Sequence, residues 1–126
     1  MKRPSLVALV ALVMLFGGIS YAHGQKSTER FIPIGQSPGV SGTHTVIGTI
    51  AVADPGARTL AVKGWTGPRF AVTVRTRIWI DRNASKLPTQ PGAFTDLQPG
   101  RRIEVKFEDD ATKTAAEWVK VEAAPP

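Results

Sequence analysis

Cysteine is absent from the 126 residues. Its absence excludes disulfides, thiolate metal sites and thiol nucleophiles, and also a lipoprotein anchor, which needs a cysteine at its cleavage site. Histidine and methionine occur only twice each. No stretch sustains a helical period, apart from a single turn's worth between Gly92 and Leu97. No internal repeat of about 20 to 50 residues is present. Such a chain is long enough for one domain and has only a hydrophobic core to hold it together.

What is present begins with a leader pattern. Lys2 and Arg3 precede an uncharged apolar run from Leu6 to Phe16, and Ser20-Tyr21-Ala22 follows with small residues where a signal peptidase reads. The pattern predicts a signal peptide over residues 1–22, cut after Ala22. A cut after Gly24 is the alternative, because Ala22-His23-Gly24 also fits. The run is shorter than the roughly 20 apolar residues of a membrane span. The expected mature chain is therefore periplasmic or secreted, with no membrane span. Sixteen basic residues face ten acidic ones, and the formal charge of +6 falls to +4 once Lys2 and Arg3 leave. Basic proteins meet nucleic acid or acidic surfaces. Export argues against nucleic acid and leaves an envelope protein or an anionic polysaccharide as the expected partner, beside the plainer reading of a solvated basic surface.

Residues 23–43 are polar and punctuated by Gly and Pro, which predicts an extended arm. Within it Phe31, Ile32 and Ile34 form a short apolar piece around Pro33, which lacks a donor and so cannot join a central strand. Such a piece needs a surface on which to dock. From His44 onward, short β-branched and aromatic runs alternate with turn signals: "TVIGTIAVAD", "TLAVKG", "RFAVTVRTRIWID", "RRIEVKFE" and "AEWVKV". Residues 44–122 are expected to form the folded domain, and residues 123–126 a tail without structure. Alternation places Phe70, Val72, Val74, Ile78 and Ile80 on one face of the third run, and Arg69, Thr73, Arg75, Arg77 and Trp79 on the other. In the fourth, Ile103, Val105 and Phe107 point inward while Arg102, Glu104, Lys106 and Glu108 point outward. The stretch Leu97-Gln98-Pro99-Gly100 predicts an apolar plug and a tight turn that returns the chain as a core strand. About five half-apolar antiparallel strands would expose unpaired edges unless the sheet closed. The expectation is an all-β, small antiparallel OB-like barrel with an extended N-terminal arm.

From Val46 to Val121 the layout resembles a family of small exported bacterial OB-like β-barrels whose function is not known. The pieces that carry the resemblance are "GTI" with "VAD", "RTLAVKG", "FAVTVRTRIWI", "FTDLQPGRRIEV" and "AAEWVKVE". The loop "RNASKLPTQPGA" is longer than that pattern. The scaffold is also similar to periplasmic copper- and silver-binding barrels, but these hold metal through His and Met beside a Trp. Here Met1 and Met14 fall in the leader, so the motif is missing, and scaffold likeness alone carries no function.

No serine is paired with a histidine and an acid in a catalytic pattern, and Asp54, Asp109 and Asp110 occupy turn positions. The expectation is a protein that is not an enzyme. His23 would become the mature N-terminus on cleavage after Ala22. Its amine and imidazole, with His44, would make nitrogen ligands suited to Cu(II), against the alternative of a mobile polar terminus. Arg75, Arg77, Trp79 and Trp118 form the candidate binding surface, since exposed aromatics beside arginine mark interfaces. The competing reading is that the arm, through Phe31 and Ile34, covers these rings itself. The functional expectation is a non-catalytic exported interaction module, an accessory or assembly component of an envelope complex. The alternative is a carrier of copper or an anionic glycan.

Overall fold

The computed structural model describes residues 28–124. The predicted signal peptide and His23 lie outside them. The chain divides into two units, Met1–Arg30 and Phe31–Pro126, and the strands among the described residues all fall in the second. These are β1 (Thr45–Asp54), β2 (Thr59–Val62), β3 (Phe70–Ala71), β4 (Arg77–Asp81), β5 (Gln90–Pro91), β6 (Arg102–Phe107) and β7 (Ala116–Glu122).

They form one sheet in the order β3-β2-β1-β6-β7-β4-β5. All neighbours are antiparallel except β4 and β7, which run parallel. The expectation of a closed, purely antiparallel barrel of about five strands is therefore corrected: the domain is all-β, but its sheet is mixed, seven-stranded and not closed into a barrel. Ala71 makes one isolated parallel bridge to Ala115, and its N–H bonds Thr114 O at 2.8 Å. The sheet curls there without completing a ladder.

Two local causes explain the difference. The third apolar run is not one strand. Thr73 N–H bonds Thr76 Oγ1 at 2.8 Å, Thr76 N–H bonds Thr73 O at 3.1 Å, and Thr76 Oγ1 donates to Ala116 O at 2.7 Å. This turn splits the run into β3, beside β2, and β4, beside β7, and it leaves Val74 93% exposed rather than inward. The second cause lies at the edges. β3 and β5 have two residues each, and β5 carries Pro91. Edges this short, one with a missing donor, need no closure for protection.

The core lies on one face of the sheet. Ile50, Leu60, Val62, Phe70, Val72, Ile103, Val105, Phe107, Val119 and Val121 are buried in one cluster, with Ile78 and Ile80 packed against it. Trp65 closes one end, stacked on Phe107 at 5.7 Å and edge-on to Phe70 at 6.1 Å. A bulge between Ile50 and Val52 lets β1 bend from β6 towards β2. Gly48 makes the crossing possible, because a Cβ there would stand 2.6 Å from Val62 Cγ1. The Leu97–Gly100 stretch behaves as its chemistry predicts. Leu97 is buried, Gly100 has φ +89°, and its N–H bonds Ile50 O at 2.8 Å.

Candidate functional site

The second face of the sheet is where the polar side chains converge. Strand register sets them in rows. One row runs Ile47, Glu104, Lys120, Trp79 and Pro91 across β1, β6, β7, β4 and β5. The next runs Thr45, Lys106, Trp118 and Arg77. Period-two alternation alone would send all of these to solvent. Instead Glu104 is 0% exposed, Lys120 1%, Trp118 2% and Trp79 6%. The two indoles lie 5.6 Å apart, and Lys120 Nζ sits 4.7 Å from the Trp118 ring centroid.

Residues 31–44 are bonded to this face. Ile34 is 4% exposed, whereas Phe31 remains 57% exposed. Lys120 Nζ donates to Ile32 O at 2.9 Å, Ile34 N–H donates to Asp81 Oδ2 at 2.9 Å, and Gly35 N–H donates to Glu104 Oε1 at 3.0 Å. Glu104 Oε2 also accepts from Ser41 Oγ at 2.6 Å and from Thr45 Oγ1 at 2.8 Å. The segment then reverses through turns: Val40 and Ser41 N–H bond Ser37 O, and His44 N–H bonds Val40 O. Gly39 and Gly42 supply positive φ values of +73° and +79° in that reversal, a region that a side chain resists.

Electrostatics match this docking. Burial alone would raise the Asp81 carboxyl. The hydrogen bonds from Ile34 N–H and from Asn83, with the nearby Lys120 charge, outweigh it and hold the group below its ordinary value. Among the described residues no buried side-chain nitrogen or oxygen lacks a partner. Two buried carboxylates and one buried ammonium are thus accommodated by hydrogen bonds, as buried charge requires.

The candidate residues from the sequence separate into two groups. Trp79 and Trp118 come together beneath the segment that carries Ile32 and Ile34. Arg75 and Arg77 remain exposed. Arg75 Nη2 reaches Glu108 Oε2 at 3.4 Å, a pair of solvated side chains worth little. Val74, beside them at the tip of the Thr73–Thr76 turn, was expected inward and is instead the most exposed large apolar side chain described. His44 is exposed, with Nδ1 3.3 Å from Asp110 Oδ2. No group of three or more His, Cys, Asp or Glu that could hold a metal occurs among the described residues. Sequence reasoning missed Asp81, Glu104 and Lys120 as docking residues. The only signal was indirect: an apolar arm needing a surface, and a strand face that alternates Glu, Lys and Trp.

A shallow crevice of about 330 Å³ opens at the start of β6 and the end of β7, lined by Pro99, Gly100, Arg101, Arg102, Glu122 and Ala123. No helix among the described residues is long and apolar enough to cross a membrane. The expected OB-like or copper-binding barrel fails on the sheet, which is mixed and open. Comparison with family models, with curated proteins and with solved structures finds no match in any of the three.

Proposed function

We propose that this chain is a non-catalytic interaction module, exported, and that it serves as an accessory component of an envelope or extracellular complex. The observation that carries the reading is the tip at Val74. A valine 93% exposed stands between the Thr73 and Thr76 hydroxyls, with Arg75 and Arg77 exposed beside it. An isolated apolar knob flanked by arginines suits a partner with an apolar socket and an acidic rim. Arginine is enriched at the energetic centres of interfaces, and rim charge governs encounter. The test is a capture from the native envelope with the parent and with the triple variant V74S/R75E/R77E, compared at equal fold stability. One stoichiometric protein should be held by the parent and lost by the variant. Equal capture by both would remove the tip as the contact.

The crevice beside Arg101 and Arg102 favours a second reading, a carrier of anionic glycan. Its volume of about 330 Å³ is at the small end for ligand sites. The two guanidinium groups suit a carboxylate, and Glu122 suits a sugar hydroxyl. Titration with uronic-acid oligosaccharides should then shift the amide signals of Gly100 to Arg102 and of Ala123. Shifts confined to other residues, or none, would dispose of this reading.

A further inference from the structure

The chain contains a single asparagine, Asn83, and it stands two residues before Ser85 in Asn83-Ala84-Ser85. Asn-x-Ser, with any residue but proline between, is the acceptor pattern for N-linked glycosylation and belongs to surface loops of secreted proteins. So short a pattern also arises by chance, and its place in the fold decides its weight.

The three residues form one 3₁₀ turn in the loop that joins β4 to β5, and none of them is buried. The bonds that shape this loop are local. Ser85 N–H and Leu87 N–H donate to Arg82 O, Lys86 N–H donates to Asn83 O, and Arg82 Nε donates to Pro88 O at 2.8 Å. Residues 83–88 are all exposed, so drawing the loop into the groove of a transferase removes nothing from the core. A loop held in this way opens at little cost while the domain stays folded.

Turn chemistry does not account for the asparagine. Asparagine is common in turns because its own side chain bonds the backbone two residues on. Here Asp81 fills that role, since its Oδ1 accepts from Asn83 N–H at 2.9 Å and also from Asn83 Nδ2 at 2.6 Å. The Asn83 carboxamide oxygen and the Ser85 hydroxyl bond nothing among the described residues. A pattern defined by Asn and Ser has to be read through these two side chains, and both are open. The amide nitrogen has two hydrogens. Asp81 holds one, and a sugar in place of the other leaves that contact intact. The second Asp81 oxygen, on Ile34 N–H, is undisturbed as well.

We propose that Asn83 is an N-glycosylation site, modified by a membrane oligosaccharyltransferase with a polyprenyl-diphosphate-linked oligosaccharide as donor. Nδ2 forms a bond to C1 of the first sugar as the C1–O bond to the diphosphate breaks. The electron pair leaves with the polyprenyl diphosphate, and one amide proton passes to a base of the transferase. The proposal rests on the export reading above, because only an exported chain meets such an enzyme. Ala123 N–H bonds Asp81 O at 2.9 Å, so the loop lies at the end of the sheet that holds the Arg101–Arg102 crevice. Val74 precedes β4 and stands at the strand's other end. A glycan on Asn83 therefore leaves the Val74 tip open to a partner.

The test is the mass of the full chain recovered from the envelope of its native host, with fragmentation of the peptide that contains Asn83. The leader should be gone, the mass should exceed that of the mature chain by one oligosaccharide, and the fragments should place the sugar on Asn83. Asn83→Gln and Ser85→Ala should each lose the whole increment, whereas Ser85→Thr should keep it. Ser85 is exposed and its hydroxyl bonds nothing, so its alanine variant should melt as the parent does and still lack the sugar. A mature chain of unmodified mass would overturn the proposal and leave export standing. A chain that keeps residues 1–22 and carries no sugar would overturn both. An increment that survives Asn83→Gln would also overturn it, since the sugar is then carried elsewhere.

Discussion

Glu104→Ala isolates the docking of the arm from the packing of the core. The carboxylate accepts from Gly35 N–H, Ser41 Oγ and Thr45 Oγ1 at 3.0, 2.6 and 2.8 Å. Gly35 is exposed and Ser41 half-buried, so both donors can turn to water once the acceptor is gone. Thr45 is 7% exposed, and its hydroxyl would be stranded. A stranded buried donor costs about 1–3 kcal/mol, and a hydrogen bond to a charged group contributes a net of about 1.5–3 kcal/mol. Relief of the buried carboxylate's own desolvation offsets part of this. The net loss should be about 3 kcal/mol, a large share of a small domain's stability. For a domain of this size that lowers Tm by roughly 12–24 °C. Glu104→Gln keeps one acceptor oxygen and should lose about half as much. Urea unfolding with an unchanged slope should rank parent, Gln, Ala in falling midpoint. An alanine variant melting within about 2 °C of the parent would refute the reasoning, since the carboxylate would then contribute nothing to holding the arm.

Other outcomes follow from the same geometry. Gly48→Ala places a Cβ 2.6 Å from Val62 Cγ1, an overlap that should cost about 1–3 kcal/mol. In a double-mutant cycle Val62→Ala should relieve part of it. Asp81 titrates below its ordinary value, so its stabilisation is complete above the unfolded-state pKa and is lost as pH falls through the lower folded-state one. The difference in urea midpoint between the parent and Asp81→Asn should therefore shrink as pH falls below the ordinary carboxylate range, and a constant difference would contradict this. Val105→Asp puts an unpaired charge at a fully buried position, at a cost of several kcal/mol. Its circular dichroism should show no cooperative melt.

Much of the fold was legible where a strand has one buried face and a turn has distinctive chemistry. β1, β2, β6 and β7 fall on the expected runs, and the Leu97–Gly100 turn is as read, because proline, glycine and a buried leucine each act locally. The third run misled because Thr73, Val74, Arg75 and Thr76 alternate as a strand would. Their hydroxyl-bonded turn depends on Ala116 O, a partner 40 residues away. β5 was illegible, being two residues with a proline inside a loop. The parallel pairing of β4 with β7 is a non-local choice that no window of sequence contains. On the docking face, Glu104 and Lys120 read as solvent charges because alternation identifies which face a residue is on, not what later covers that face. The apolar arm that covers them was visible, but the buried ions that receive its backbone were not.

The position of β7 bears on the order in which the protein can assemble during synthesis. It is the last of the described strands to leave the ribosome, yet it lies between β6 and β4 in the middle of the sheet. Until it emerges, Ile103 and Val105 have no neighbour on one side, and β4 has nothing to pair with except the two residues of β5. The arm, made before every strand it docks on, waits longest, since Lys120 on β7 and Glu104 on β6 are among its anchors. Non-local pairing of this kind is slow to form and leaves strand edges open meanwhile. A domain with this topology therefore stays unfinished until β7, the last of its described strands, has emerged.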